Sequence, residues 1–292
     1  RAFCSSNRNC VHGFAEPSPP APPASVLDRR PEGGAVSNDT AGRALTRRLA
    51  VEGALLLAGA VSLLAAGYWA FTTTTSMATA VRWLAPTGVV TAWAGGYAWT
   101  HRHTLHGGDG ARLGSLGLAN WITLARAVLL AGVAGFVVVD PEGLLAWGPA
   151  VGYGTAVVLD GVDGAVARSV GTETRLGERL DMAVDTTGFV VAPLVAVAWG
   201  LLPVWYLSLS AARYCYRGGL FLWRRSGREV GTLPPSRLRR PLAALQMAFI
   251  TVALLPPAPT PLVRTVAPVV LLPSLVVFVR DWLAVTVSAA ED

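Results

Sequence analysis

The chain has 292 residues, 52% of them hydrophobic and only 14% charged, with a mean hydropathy of +0.47. An ordinary soluble domain carries roughly 25% charged residues, so this composition excludes a large water-soluble core and points to an all-α, polytopic membrane protein. The net charge is +6 and all 24 basic residues are Arg; their placement carries more information than their number, and no nucleic-acid partner is expected. Cys4, Cys10 and Cys215 are too few and too scattered for a disulfide framework.

Residues 1–47 read as a polar, Pro-rich tail that cannot bury enough apolar surface to offset its chain entropy. The tail contains no apolar run of the kind a secretory signal carries. The first apolar run, 49–71, meets the roughly 20-residue requirement for a spanning helix and ends in Tyr68, Trp69 and Phe71, as an interfacial aromatic belt would. A weaker run, 80–99, contains Arg82 and Pro86 and completes a membrane hairpin over 48–100. A Gly- and His-rich linker, 101–115, reads as a solvated basic loop. Six further runs follow within a core of 116–288: 118–139, 143–167, 177–200, 203–223, 240–256 and 262–287. The expected fold is thus a six-helix transmembrane core preceded by two extra transmembrane helices.

Alternating these runs across a bilayer gathers Arg43, Arg47 and Arg48, Arg102 and Arg112, Arg168, Arg175 and Arg179, and the Arg residues of 224–240 on one side. The positive-inside rule makes that side cytoplasmic. The expected location is the cell membrane, multi-pass, with the functional face toward the cytoplasm.

The same side carries the stretch DGVDGAVARSVGTETRLGERLDMAVD, from Asp160 to Asp185. Asp160 and Asp163 are i, i+3 and share a helical face; Asp181 and Asp185 are i, i+4 and share another. The linker between them is short, so four carboxylates converge at one membrane–water boundary. Left alone they repel one another, and a divalent cation relieves this. All-oxygen ligands select Mg²⁺, Mn²⁺ or Ca²⁺. Gly164 and Ala167 leave room for a ligand, and Arg168 offers a fork suited to a diphosphate. That is the inventory of phosphoryl-type transfer, where positioning and charge neutralisation do most of the catalysis.

The full pattern, D-x-x-D-G-x-x-A-R, eight residues, then G-x-x-x-D-x-x-x-D, comprises Asp160, Asp163, Gly164, Ala167, Arg168, Gly177, Asp181 and Asp185. It resembles the signature of the CDP-alcohol phosphotransferases, membrane enzymes of phospholipid synthesis. Upstream, NWITLAR (Asn120, Thr123, Arg126) is similar to the N-x-x-T-x-x-R start of that family's first core helix. The resemblance implies two Mg²⁺ or Mn²⁺ ions: Asp160, Asp163 and Asp181 hold one, and Asp160, Asp181 and Asp185 share in the second. It implies a CDP-linked lipid donor bound by Asn120, Thr123, Gly164, Ala167, Arg168, Thr174 and Gly177. Asp185 is then the general base that activates an alcohol acceptor, CMP leaves, and the enzyme is a homodimer.

The acceptor is less sharply written. Asp181-Met-Ala-Val-Asp185-Thr departs from the form usual in members that use glycerol 3-phosphate, and the run from Gly188 to Pro193 is faintly similar to serine-using members. Arg213, Arg217, Arg237 and Arg240 form a basic group suited to an acceptor phosphate. The acceptor is therefore expected to be a phosphorylated polyol (glycerol 3-phosphate or inositol phosphate) or serine. The alternative is a cation-dependent membrane transporter using the same aspartates.

Overall fold

The computed structural model of the protein describes residues 33–102, 116–170, 175–227 and 236–287. Within them the chain forms eight α-helices: α1 (Gly33–Thr74), α2 (Met77–His101), α3 (Gly117–Ala134), α4 (Gly148–Val170), α5 (Arg175–Ala198), α6 (Ser208–Arg225), α7 (Arg239–Ala253) and α8 (Thr260–Val287). No strand occurs among the described residues. Each expected apolar run holds one helix, its ends displaced by a few residues. The largest departure is α1, which begins at Gly33, inside the expected irregular tail. Its opening AVSNDTAGRALTRRLA supplies Ala, Leu and Arg, all good helix formers.

The chain divides into two compact units, Arg1–Ala44 and Leu45–Asp292. Of the first, the described part is helical from Gly33 on. Everything below concerns the second.

Four segments are long and apolar enough to cross a bilayer on their own: Ala50–Thr74, Gly117–Val137, Arg175–Ala198 and Thr260–Thr286. The other four helices show why they do not qualify alone. Helix α4 ends in the aspartate-rich stretch, and α6 carries Arg213, Arg217, Arg224 and Arg225. Helix α7 has 15 residues, about 22 Å at 1.5 Å per residue, against a hydrocarbon core of about 30 Å. Helix α2 is weakened by Pro86 and paired glycines.

Helix α3 is the axis of the core. It packs against α2, α4 and α5, and its second half, including Leu130, Ala131, Val133 and Ala134, is buried. Tyr153 and Ala156 of α4, Val184, Phe189 and Val195 of α5, and Ile250 of α7 complete the interior. Small residues permit the close approach, as is usual between membrane helices. A Cβ on Gly152 would lie 3.0 Å from Val133, and one on Gly154 would lie 3.0 Å from Thr251. These glycines serve packing.

Trp83 wedges α2 into the bundle. Its indole Nε1 donates to the Gly132 carbonyl at 3.1 Å, and its ring stacks obliquely against Phe71 and edge-on to Phe136. A Cβ on Gly135 would stand 2.4 Å from both Trp83 Cδ1 and Thr87 Oγ1. Gly135→Ala is therefore expected to cost about 1–3 kcal/mol by overpacking and to lower the thermal midpoint in detergent. Gly161→Ala, where nothing lies within 4 Å of the new Cβ, should not lower it.

Candidate active site

The last turns of α4 carry Asp160, Asp163, Gly164, Ala167 and Arg168, and the first turns of α5 carry Gly177, Asp181 and Asp185. The side chains of Asp163, Ala167 and Arg168, and the whole of Thr174, lie outside the described part of the structure. The carboxylate oxygens of Asp160, Asp181 and Asp185 lie within 4.8 Å of one another. Helical spacing on two neighbouring helices thus delivers the convergence expected for these three.

At their centre is Arg126 of α3, which is 3% exposed. One guanidinium nitrogen (NH2) lies 2.7 Å from Asp160 Oδ1 and 2.6 Å from Asp185 Oδ1; the other (NH1) lies 2.7 Å from Asp181 Oδ1. The sequence pattern includes Arg126, but no role was assigned to it there. A signal existed: it is a lone ionisable residue within an apolar run, which is a functional-site hypothesis by default. Asn120 and Thr123 sit two turns and one turn earlier on the same buried stripe, at 2% and 1% exposure. Each returns a hydrogen bond to its own helix, Asn120 Nδ2 to the Leu116 carbonyl at 2.5 Å and Thr123 Oγ1 to that of Ala119 at 3.1 Å.

The donor set suits a hard divalent cation. Three carboxylates facing one guanidinium leave two formal negative charges uncompensated, and Arg126 grips the Oδ1 atom of each. A carboxylate has two oxygens, so cation binding and the Arg126 contact are compatible. The Arg126 Nε is buried without a hydrogen-bond partner among the described residues.

Arg213 and Arg217 of α6 face α5. The Arg213 guanidinium lies 5.0 Å from the Phe189 ring centroid and within electrostatic reach of Asp185. Arg217 NH2 approaches Met182 Sδ at 3.4 Å. Arg237 and Arg240 are exposed. Their neighbour Arg239, which the sequence pattern did not single out as a ligand, is the one that turns inward.

Arg239 Nε donates to Asp281 Oδ2 at 2.6 Å, and Arg280 NH2 donates to Asp281 Oδ1 at 2.8 Å. The adjacent Arg280 and Asp281 thus form, with Arg239, a three-residue bridge joining α7 to α8. Arg213, Arg239 and Asp281 line a cavity of about 210 Å³ that also meets Phe189, Gln246 and Ser274. Gln246 is held by Tyr206 OH, the Val270 carbonyl and Ser274 Oγ.

The CDP-alcohol phosphatidyltransferase family model matches residues 116–284. The chain belongs to that family. The aspartate pattern from Asp160 to Asp185 lies inside the matched region. A stretch of 42 residues is 50% identical to a CDP-diacylglycerol–serine O-phosphatidyltransferase of Mycobacterium leprae (strain TN). That stretch covers 14% of this chain and 14% of that protein, so the likeness spans a small part of the relative. No solved structure matches. The transporter alternative finds no support in these comparisons.

Removing Arg126 leaves the three carboxylates facing one another. Arg126→Gln is expected to lower the thermal midpoint of metal-free protein, since breaking a buried ion pair costs roughly 3–5 kcal/mol. The same variant should gain more from added Mg²⁺ than wild type does. Differential scanning fluorimetry with and without Mg²⁺ checks both.

Proposed function

We propose that this phosphatidyltransferase moves a phosphatidyl group from CDP-diacylglycerol or a similar CDP-linked lipid to serine, releasing CMP on the cytoplasmic side. The observation that carries the donor half is the clustering of Asp160, Asp181 and Asp185 around Arg126, inside the family match. Asp160, Asp163, Asp181 and Asp185 would hold Mg²⁺ or Mn²⁺, whose charge would neutralise the diphosphate. Asn120, Thr123, Gly164, Ala167, Arg168, Thr174 and Gly177 would seat the nucleotide and diphosphate.

In the transfer step, the Asp185 carboxylate takes the proton of the acceptor hydroxyl. The acceptor oxygen bonds to the phosphorus that carries the lipid. The bond from that phosphorus to the bridging oxygen breaks, and CMP leaves with its electron pair. Asp185 suits this role because its side chain is 24% exposed, open enough to meet a water-borne acceptor, while Arg126 orients it through one oxygen.

The cavity beside Arg213 offers a place for the acceptor. Its wall offers both signs of charge, Arg213 and Arg239 with Asp281. Serine brings a carboxylate and an ammonium. The 42-residue likeness to a serine-using enzyme leans toward serine. Arg217 would then guide the acceptor inward, with Arg237 and Arg240 adding positive field. A homodimer rests on the family resemblance.

Two measurements test this reading. Purified protein with Mg²⁺ and CDP-diacylglycerol should release CMP and form phosphatidylserine with serine, read by mass spectrometry; product only with glycerol 3-phosphate or inositol phosphate would displace serine as acceptor. Asp185→Asn should lose about 10²–10⁴-fold in turnover, as expected for a general base, while CMP binding persists; wild-type turnover would remove Asp185 from the role.

A further inference from the structure

The family match begins at residue 116, so α1 and α2 lie outside it, and as membrane anchors they would have no bearing on the site. Their contacts point elsewhere. Glu52 lies on α1 near the start of the segment Ala50–Thr74, a costly place for a carboxylate unless it is partnered. Its Oε2 accepts a hydrogen bond from the backbone N–H of Leu116 at 2.7 Å.

Leu116 is the N-cap position of α3, and α3 has no capping side chain of its own. The first amides of a helix lack intrahelical partners and carry partial positive charge. A carboxylate satisfies one of them and complements the helix dipole. The next residue, Gly117, has φ +78°, so the chain turns sharply here and needs a fixed point. The Leu116 carbonyl in turn receives Asn120 Nδ2 at 2.5 Å. Leu116 is therefore held on both sides, by Glu52 and by the first polar residue of the Asn120–Thr123–Arg126 stripe.

Helix α2 reaches the same place independently. Tyr97 and Ala98 pack against Leu176 and Leu180 of α5, and Leu116 and Leu124 pack against the same pair. Leu176 precedes Gly177, and Leu180 precedes Asp181. The hairpin thus touches the helix ends that carry the donor-side residues on both α3 and α5.

We infer that the α1–α2 hairpin is a positioning element of the donor site, with Glu52 as the residue that clamps the start of α3. Glu52 acts through Leu116 and does not touch the substrate. The inference rests on the donor reading given above. In full-length protein, Glu52→Ala should raise the KM for CDP-diacylglycerol roughly tenfold, the scale of a charge-assisted hydrogen bond. The kcat and the acceptor KM should stay within about twofold. Glu52→Gln, which keeps an acceptor oxygen, should restore the donor KM. Hydrogen exchange over residues 116–126 supplies a readout free of activity and should be faster in Glu52→Ala only. Unchanged exchange, or donor KM, acceptor KM and kcat worsening together in both variants, would overturn the clamp. If wild type releases no CMP with any acceptor, the transfer reading falls, and the exchange experiment still decides the clamp: faster exchange upholds it and unchanged exchange overturns it.

Discussion

One buried guanidinium holds carboxylates from two other helices in register. Arg126 reaches Asp160 on α4 and Asp181 and Asp185 on α5, each within hydrogen-bond distance. Burying a charge is expensive unless it is paired and hydrogen-bonded, so α3, α4 and α5 cannot separate or slide by a turn without exposing that cost. The small residues at their contacts follow from the same demand. Gly152 and Gly188 let α4 and α5 come close enough to α3 for the contacts to form, with ordinary packing of Gly188 against Leu130 and tight packing of Gly152 against Val133. The rest of the bundle is arranged around this triple junction, and the cation chemistry proposed for the site uses the same oxygens' partners.

The proposed donor and acceptor halves are built on different principles. The donor half is local in sequence: two helical turns on α4, two on α5, and a stripe on α3. The proposed acceptor half is assembled from α5, α6, α7 and α8, with Arg213, Arg239 and Asp281 brought together around one cavity. The bridge of Arg239 to Asp281 and Arg280 ties α7 to α8, so the shape of that cavity depends on an ion-pair network as well as on apolar packing.

This division explains what was legible beforehand. The aspartate cluster could be read because i, i+3 and i, i+4 spacing fixes a face whatever the neighbours do. The number of helices could be read from apolar runs. The polar or short character of α2, α4, α6 and α7 was less visible, because a run interrupted by Asp, Arg or Pro still looks like a span until its best window is weighed. Arg126 was named but left without a role, since spacing within α3 does not say which helices pack on it. Arg239 could not be told apart from Arg237 and Arg240, because which of several adjacent Arg residues turns inward is decided by a partner 42 residues away. The Glu52 contact spans 64 residues and left no local trace at all.

The Arg126 junction also has a consequence for biosynthesis. Its partners on α5 follow it by 55 and 59 residues in the chain, so during synthesis α3 emerges first, carrying an unneutralised cation. A lone Arg near the middle of a spanning helix costs roughly 2.5–3.5 kcal/mol at insertion. Helix α3 is therefore costlier to hold in lipid until α4 and α5 supply its carboxylates.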